Sequence, residues 1–484
     1  MKRLLCYLLT ALMLLSAAAC TAHNDDAQKQ PNAEAQPEAE TQPTQEAEQQ
    51  TENQTVPETE PAAETPAPAG EDITLEPIEN PPINPGDSIT NPPIELTDPV
   101  QPIYETDGEK PEVNGYGDFS DLLSAALLSG TENRNLSPIS VYLALAMLTE
   151  GAEGETLSEL LALLGCKDLE ELRGVCGAML EQLSVDEERS TLDIHNSLWM
   201  ADKINGEPVT FRDAFLKALA KTYRSEANTV EFGSQSAKMQ IAAWITEHTR
   251  GKIQISPSAL EFDPSTLAVL INTIYLKDNW AETFDPLQTA ADTFYGYDGE
   301  MQVDYMHRFD KNAVVRQGDG WIAYSVNLAR VGKVTFVLPD EGIALNKLLG
   351  SPEAIDKLLH QGINKNCDVS LMIPKFKFQD KMELTRVLQS LGLDHCFNVG
   401  ADFSGMSDFP ACIDSVIQES YIGVDENGVE AAAYTMISMR TTSYNPVELE
   451  RLDFHLTRPF FYAIESYDGT VLFIGTVTNP GAGE

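Results

Sequence analysis

The chain has 484 residues, with 75 Asp and Glu against 32 Lys and Arg and a formal net charge of −43. An acidic balance without basic clusters argues against a nucleic-acid partner. None of the seven cysteines forms a C-x-x-C pair, so neither a disulfide framework nor a zinc site is supported, and no cofactor is expected.

At the amino terminus, Lys2 and Arg3 precede the apolar run "LLCYLLTALMLLSAAA", and Ala17, Ala18 and Ala19 directly precede Cys20. A positive start, a short apolar stretch and small residues read as an export signal over residues 1–20. The stretch is too short and wrongly flanked for a membrane span. Small residues before a cysteine resemble the lipobox of bacterial lipoproteins, with Ala17 where Leu is usual. That likeness implies lipidation at Cys20, a membrane anchor through the lipid, and an extracellular, cell-surface location. Cleavage after Ala19 with free secretion is the alternative. Residues 21–112 then change character. "DDAQKQPNAEAQPEAETQPTQEAEQQTENQ" and "NPPINPGDSITNPPIELTDPVQP" carry no apolar period, and the segment holds 22 acidic and 2 basic residues. Such a composition cannot bury enough apolar area to offset the entropy of ordering. A disordered, self-repelling acidic tether is expected.

Residues 113–484 read as one α+β domain with large antiparallel sheets and helices packed on them. No period of 20–50 residues repeats, so a solenoid is not expected. Ser137-Pro138 opens "SPISVYLALAMLTEGAEG", apolar on nearly all faces, which predicts a helix buried in a large core. Gly165 ends "AEGETLSELLALLG". Phe211, Phe215 and Leu219 recur at helical spacing, as do Met239, Ala243 and Trp244. Strands follow. "LAVLINTIYL" reads as a strand covered on both faces, and "KVTFVLPD" and "VSLMIPKFKFQD" as further ones. Asp468-Gly469 between two apolar runs predicts a hairpin.

Catalytic signatures are missing. There is no G-x-S-x-G elbow, no H-E-x-x-H and no Gly-rich phosphate loop, so the chain does not read as an enzyme. His195 and His455 sit in apolar-alternating runs and read as structural, as does Trp280 after "YLKDN". Cys166, Cys176, Cys367, Cys396 and Cys412 are scattered and read as buried thiols.

One segment is unusual. "ENGVEAAAYTMISMRTTSYNPVE", residues 426–448, joins two strand-like runs. A connection of that length within a compact domain is functional or disordered. Val429, Ala431, Ala433, Thr435, Ile437 and Met439 would share one face of a strand. Glu430, Ala432, Tyr434, Met436, Ser438 and Arg440 would share the other. The first set is small or apolar and the second more polar, the alternation a strand with one buried face needs.

In order along residues 113–484, "NLSPISVYLALAML", "LAVLINTIYLKDNWAETFD", "VSLMIPKFKFQ", "IGVDENGVEAAA" and "RPFFYAIESYDGTVLFIGTVTNP" resemble the motifs of the serpin family. The resemblance implies three β-sheets, eight or nine helices and an exposed reactive loop. It implies a monomeric suicide inhibitor whose partner is a serine protease held in a covalent complex; a non-inhibitory serpin acting as a binding or structural protein is the alternative. By the same likeness the hinge is Glu426, Gly428, Val429, Glu430, Ala431, Ala432 and Ala433. Gly428 is expected to be its flexible pivot and Val429 the first side chain to enter the sheet. Ser137, Ser140 and Asn272 match positions that hydrogen-bond behind the opening strands. Gln418 stands where the family often has His, and it too offers a donor and an acceptor. Trp280 and Glu426 match positions where the loop enters. Counting seventeen residues from Glu426 places the reactive bond at Thr442–Ser443, suited to an elastase-like or subtilisin-like protease. The segment from Ser443 to Pro459 is longer than is typical, and Arg440 is the alternative, suited to a trypsin-like protease.

Overall fold

The computed structural model describes residues 112–187, 189–430 and 449–483. Helix α1 (Tyr116–Leu128), strand β1 (Arg134–Leu136) and helix α2 (Pro138–Thr149) come first, then α3 (Gly154–Leu163) and α4 (Leu169–Gln182). Pro138 occupies the first turn of α2, where its missing N–H would be unsatisfied in any case. Ten of the 12 residues of α2 are buried, as its all-round apolar sequence demands. Next come β2 (Val185–Asp186), β3 (Thr191–Ala201), the ribbon β4 (Lys203–Ile204) and β5 (Glu207–Pro208), α5 (Asp213–Thr222), β6 (Glu226–Val230) and α6 (Gln235–His248). In α5 the expected Phe215 and Leu219 are buried. In α6 the buried stripe is Ala237, Ile241, Ala242, Trp244 and Ile245, while Met239 and Ala243 face outward. Met239 and Trp244 are five residues apart, roughly 140° around a helix, so they cannot share one stripe.

The second half is strand-rich. It contains β7 (Ala268–Asn279), β8 (Ala290–Gly296), β9 (Gly299–Gly318), β10 (Trp321–Asn327), β11 (Gly332–Pro339), α7 (Pro352–His360), β12 (Ile363–Pro374) and β13 (Phe376–Glu383). After α8 (Thr385–Ser390) come β14 (Ile417–Val424), β15 (Gly428–Val429), β16 (Arg451–His455), β17 (Phe460–Ser466) and β18 (Val471–Val477). Among the described residues this makes eight α-helices and three sheets, an α+β architecture. A nine-stranded sheet runs β1-β18-β17-β11-β10-β9-β12-β16, with β8 on β9. A seven-stranded sheet runs β13-β14-β15-β7-β3-β2, with β6 on β3; β4 and β5 form the third. The predicted hairpin joins β17 to β18, and Gly469 takes the positive φ of its turn, 89°. Every residue of both strands is buried. Helix α2 lies in the core between them, touching β7 of one sheet and β18 of the other.

The histidines of the strand runs have packing partners. His195 sits edge-on to the His248 ring of α6, centroids 4.4 Å apart, and His455 Nε2 lies 3.3 Å from Ser370 Oγ. Cys166, Cys176, Cys367 and Cys396 are buried, whereas Cys412 is exposed, against expectation, in the loop before β14. Among the described residues no helix is long and apolar enough to cross a membrane. The export signal, Cys20 and the tether lie outside the described residues.

Candidate functional site: the entry to the seven-stranded sheet

Strand β15 has two residues and lies between two longer strands. Gly428 and Val429 pair antiparallel with Asn279 and Asp278 at the end of β7, and Val429 pairs with Val424 at the end of β14. Strands β7 and β14 therefore run parallel to each other on either side. Among the described residues, β7 continues from Asp278 back to Ala268 with β3 on one edge and no strand on the other. The inner edge of β14 is likewise unpaired by any described strand beyond β15. A cavity marks the space. Tyr275 and Leu276 of β7, Tyr421 and Ile422 of β14 and Phe473 of β18 line it. Lys252 and Ile253, from the segment just after α6, line it as well.

At Gly428, the expected pivot, the backbone takes no conformation reserved for glycine: its φ is not positive. What excludes a side chain is proximity: a Cβ there would stand 2.0 Å from the Asp278 carbonyl oxygen and 2.7 Å from Asn279 Cα. The left-handed residue is instead Glu430, at φ 50°, so the chain turns out of the sheet there. Val429 is buried, 3% exposed.

The approach to β15 is fixed by Trp280 and Glu426. Trp280 is 2% exposed. Its indole N–H donates to the Asp425 carbonyl at 2.8 Å, and its amide to the Asn427 carbonyl at 2.8 Å. Glu426 accepts from Thr289 Oγ1 at 2.8 Å and pairs with Lys375 Nζ at 3.0 Å. Burial pushes the Glu426 carboxyl upward, but its own amide, Thr289 and Lys375 together hold it below the usual carboxylate range. Beyond β15, Glu430 accepts from the Tyr275 hydroxyl at 2.6 Å and pairs with Lys252 Nζ at 3.1 Å. Burial dominates there, and the Glu430 carboxyl is raised despite Tyr275 and Lys252.

Behind the sheet, the structure brings Ser137, Ser140 and Gln418 together. Gln418 Oε1 accepts the Ser137 amide at 3.1 Å, and its Nε2 donates to the Ser137 carbonyl at 2.8 Å. Ser137 Oγ donates to the Leu472 carbonyl at 2.9 Å and lies 3.1 Å from Ser140 Oγ. Asn272 is not in this cluster. Its Nδ2 donates to Asn196 Oδ1 on β3 at 2.8 Å, and Asn196 in turn donates to the Tyr223 carbonyl. Sequence reasoning missed Lys375, Thr289, Tyr275 and Lys252, since no local pattern pairs residues so distant along the chain. It also missed Asp278, whose fully buried carboxylate accepts from Ser190 Oγ and the amides of Arg330 and Val331. A charged residue ending an apolar strand was the available signal, because it must find donors when buried. Ala431, Ala432, Ala433, Arg440, Thr442 and Ser443 lie outside the described residues.

Residues 116–480 match the family model described as Serpin (serine protease inhibitor). The chain belongs to the serpin family. An uncharacterized serpin-like protein of Thermococcus kodakarensis is 31% identical over 388 residues, spanning 78% of this chain and 87% of its own. Serpin-Z2B of Triticum aestivum is 29% identical, over 75% of this serpin and 94% of its own length. Among solved structures, the thermophilic serpin tengpin in its native state is similar with a TM-score of 0.66 and 27% identity. That match covers 77% of this serpin and 96% of tengpin. Tengpin in its latent state matches with a TM-score of 0.63 and 25% identity, over 77% of this serpin and 100% of that chain.

Proposed function

We propose that this serpin is a single-use inhibitor of serine proteases that works by inserting its cleaved loop between β7 and β14. The observation that carries this reading is the edge of β7 from Ala268 to Lys277, which no described strand pairs with, and the two hinge residues Gly428 and Val429 paired at its mouth. Serpin loop insertion is itself a standing example of strand addition and of strain released by proteolysis. The protease serine Oγ attacks the Thr442 carbonyl carbon, the Thr442–Ser443 amide breaks, and the Ser443 amine leaves with a proton. Thr442 is then held as an ester on the enzyme. The freed end enters the sheet, and about fifteen residues at ~3.3 Å each carry the tethered protease roughly 50 Å. If each new ladder bond contributes about 1 kcal/mol net, ten or so supply on the order of 10 kcal/mol. Distortion of the displaced protease halts ester hydrolysis.

Thr442 suits elastase-like or subtilisin-like enzymes, and Arg440 a trypsin-like one. The export signal, the acidic tether and Cys20 fit a lipid-anchored or secreted inhibitor acting as a monomer outside the cell. Incubation with elastase, subtilisin and trypsin tests the proposal. An SDS-resistant complex at the mass of protease plus inhibitor is expected. Loop cleavage without a complex refutes it in favour of a non-inhibitory binding or structural serpin. Sequencing the released fragment locates the bond.

A further inference from the structure

Among the described residues, pairing with β7 ends at Val429, and it does not end for want of backbone groups. The Glu430 amide still donates to the Gly423 carbonyl of β14 at 2.7 Å. The chain turns because Glu430 sits at φ 50°, a region L-residues enter only against steric resistance. What holds it there is a clasp on its carboxylate: the Tyr275 hydroxyl at 2.6 Å and Lys252 Nζ at 3.1 Å.

The clasp is anchored on both sides of the gap. Lys252 belongs to the short segment after α6. On the β7 side, Arg250 of that segment donates to Asp193 of β3 at 2.7 Å, and its guanidinium lies 5.0 Å from the centroid of the Tyr275 ring. On the β14 side, Gln379 of β13 donates to the Lys252 carbonyl at 2.6 Å, and Lys252 Nζ lies 5.3 Å from the Tyr421 ring centroid. The segment is therefore a strap across the cavity, and Glu430 is buckled to it. The existing register sets Val429 opposite Asp278. Its continuation would set Glu430 opposite Lys277 and residue 432 opposite Tyr275. Entry of the next residue therefore requires Glu430 to become extended and to exchange Tyr275 and Lys252 for Lys277.

We propose that Glu430, Tyr275 and Lys252 form a latch that holds the hinge two residues into the sheet, and that its opening controls the rate of loop insertion. The latch rests on the reading of this serpin as a loop-inserting inhibitor, and positions the loop without touching the reacting bond.

The test uses the full chain and four variants: Glu430→Gln, Lys252→Met, Tyr275→Phe and the double variant Tyr275→Phe/Glu430→Gln. Each is cut with saturating elastase, and the rate at which the nicked chain becomes resistant to urea is followed. Each single variant should insert about tenfold faster, the loss of one charge-assisted hydrogen bond. The double variant should be no faster than the quicker single one, because both changes open the same contact. A merely structural role would leave insertion rates unchanged while lowering the melting temperature of the uncut chain. Equal or slower rates in the variants, or fully additive gains in the double one, overturn the latch while leaving the inhibitor reading intact. Failure of the wild-type chain to gain urea resistance after the cut overturns both.

Discussion

Replacing Gly428 by alanine tests the close approach at the sheet entry. The added Cβ would stand 2.0 Å from the Asp278 carbonyl oxygen, against roughly 3.5 Å or more for an ordinary contact. The obstruction is β7 backbone, Asp278 and Asn279, so no side chain can swing aside. Relief requires β15 and β7 to separate by more than about 1 Å, which breaks the pairing of Gly428 with Asn279 and of Val429 with Asp278. Overpacking of this kind costs about 1–3 kcal/mol. Losing the burial of Val429, 3% exposed, adds about 1.5 kcal/mol. A shift of about 3 kcal/mol against the register corresponds to roughly a hundredfold slower entry. Slower entry gives water time to hydrolyse the acyl-enzyme. The assay is titration of a fixed amount of protease, counting inhibitor molecules consumed per enzyme silenced. Wild type should consume close to one and Gly428→Ala many. The nicked variant should also lack the rise in melting temperature expected of nicked wild type. If Gly428→Ala inhibits one-for-one and its nicked form melts with wild type, the register drawn here is not the register of insertion.

Two further substitutions probe what surrounds the entry. Gln418→Ala removes the partner of both the amide and the carbonyl of Ser137. Leaving two buried backbone groups unpaired should cost about 2–4 kcal/mol, measured as a lowered denaturation midpoint at unchanged slope. His455 is held below the ordinary histidine value by burial first, with the neighbouring His307 and Arg451 in the same direction and Asp453 and Asp292 opposing. The unfolded chain therefore takes up a proton that the folded chain resists, and this group withdraws stability as pH falls below about 6.5. Replacing His455 with Gln should narrow the loss of melting temperature between pH 8 and pH 5.5 relative to wild type. An unchanged difference between the two proteins at both pH values would refute the assignment.

The sequence carried the architecture better than it carried the contacts. The helix from Pro138 was readable because burial on all sides leaves no polar stripe to write. The hairpin at Asp468-Gly469 was readable because its turn chemistry is local. Helix α6 was misread in detail, since Met239 and Trp244 both look like core residues and only their angular separation distinguishes them. At Gly428 the structure adds a requirement that the sequence did not show, the close approach of β15 to β7. A glycine required for proximity and one required for a positive φ look alike in sequence, and only the 2.0 Å approach to Asp278 separates them. The partners of Glu426 and Glu430 were invisible. Lys375 stands 51 residues from Glu426, and Tyr275 stands 155 residues from Glu430.

These contacts also bear on how β7 and β14 can stand apart, with no described strand between them beyond β15. Strands β7 and β14 are held apart by different means on the two faces. On the inner face, Gln418 of β14 is bonded to Ser137 at the start of α2, and α2 packs against β7. Sliding β14 toward β7 would shear that junction. On the outer face, the strap after α6 is bonded to β3 through Arg250 and to β13 through Gln379. At the mouth, Gly428 and Val429 act as a spacer one strand wide. Closure would therefore have to break polar contacts on both faces and expel a buried valine before any new ladder bond forms. Of the described contacts, entry of residues 431 onward would break the clasp at Glu430, and each residue added could gain a ladder bond. The asymmetry is kinetic: an edge that no described strand fills is costly to close and inexpensive to fill, which is what the proposed insertion ahead of ester hydrolysis requires.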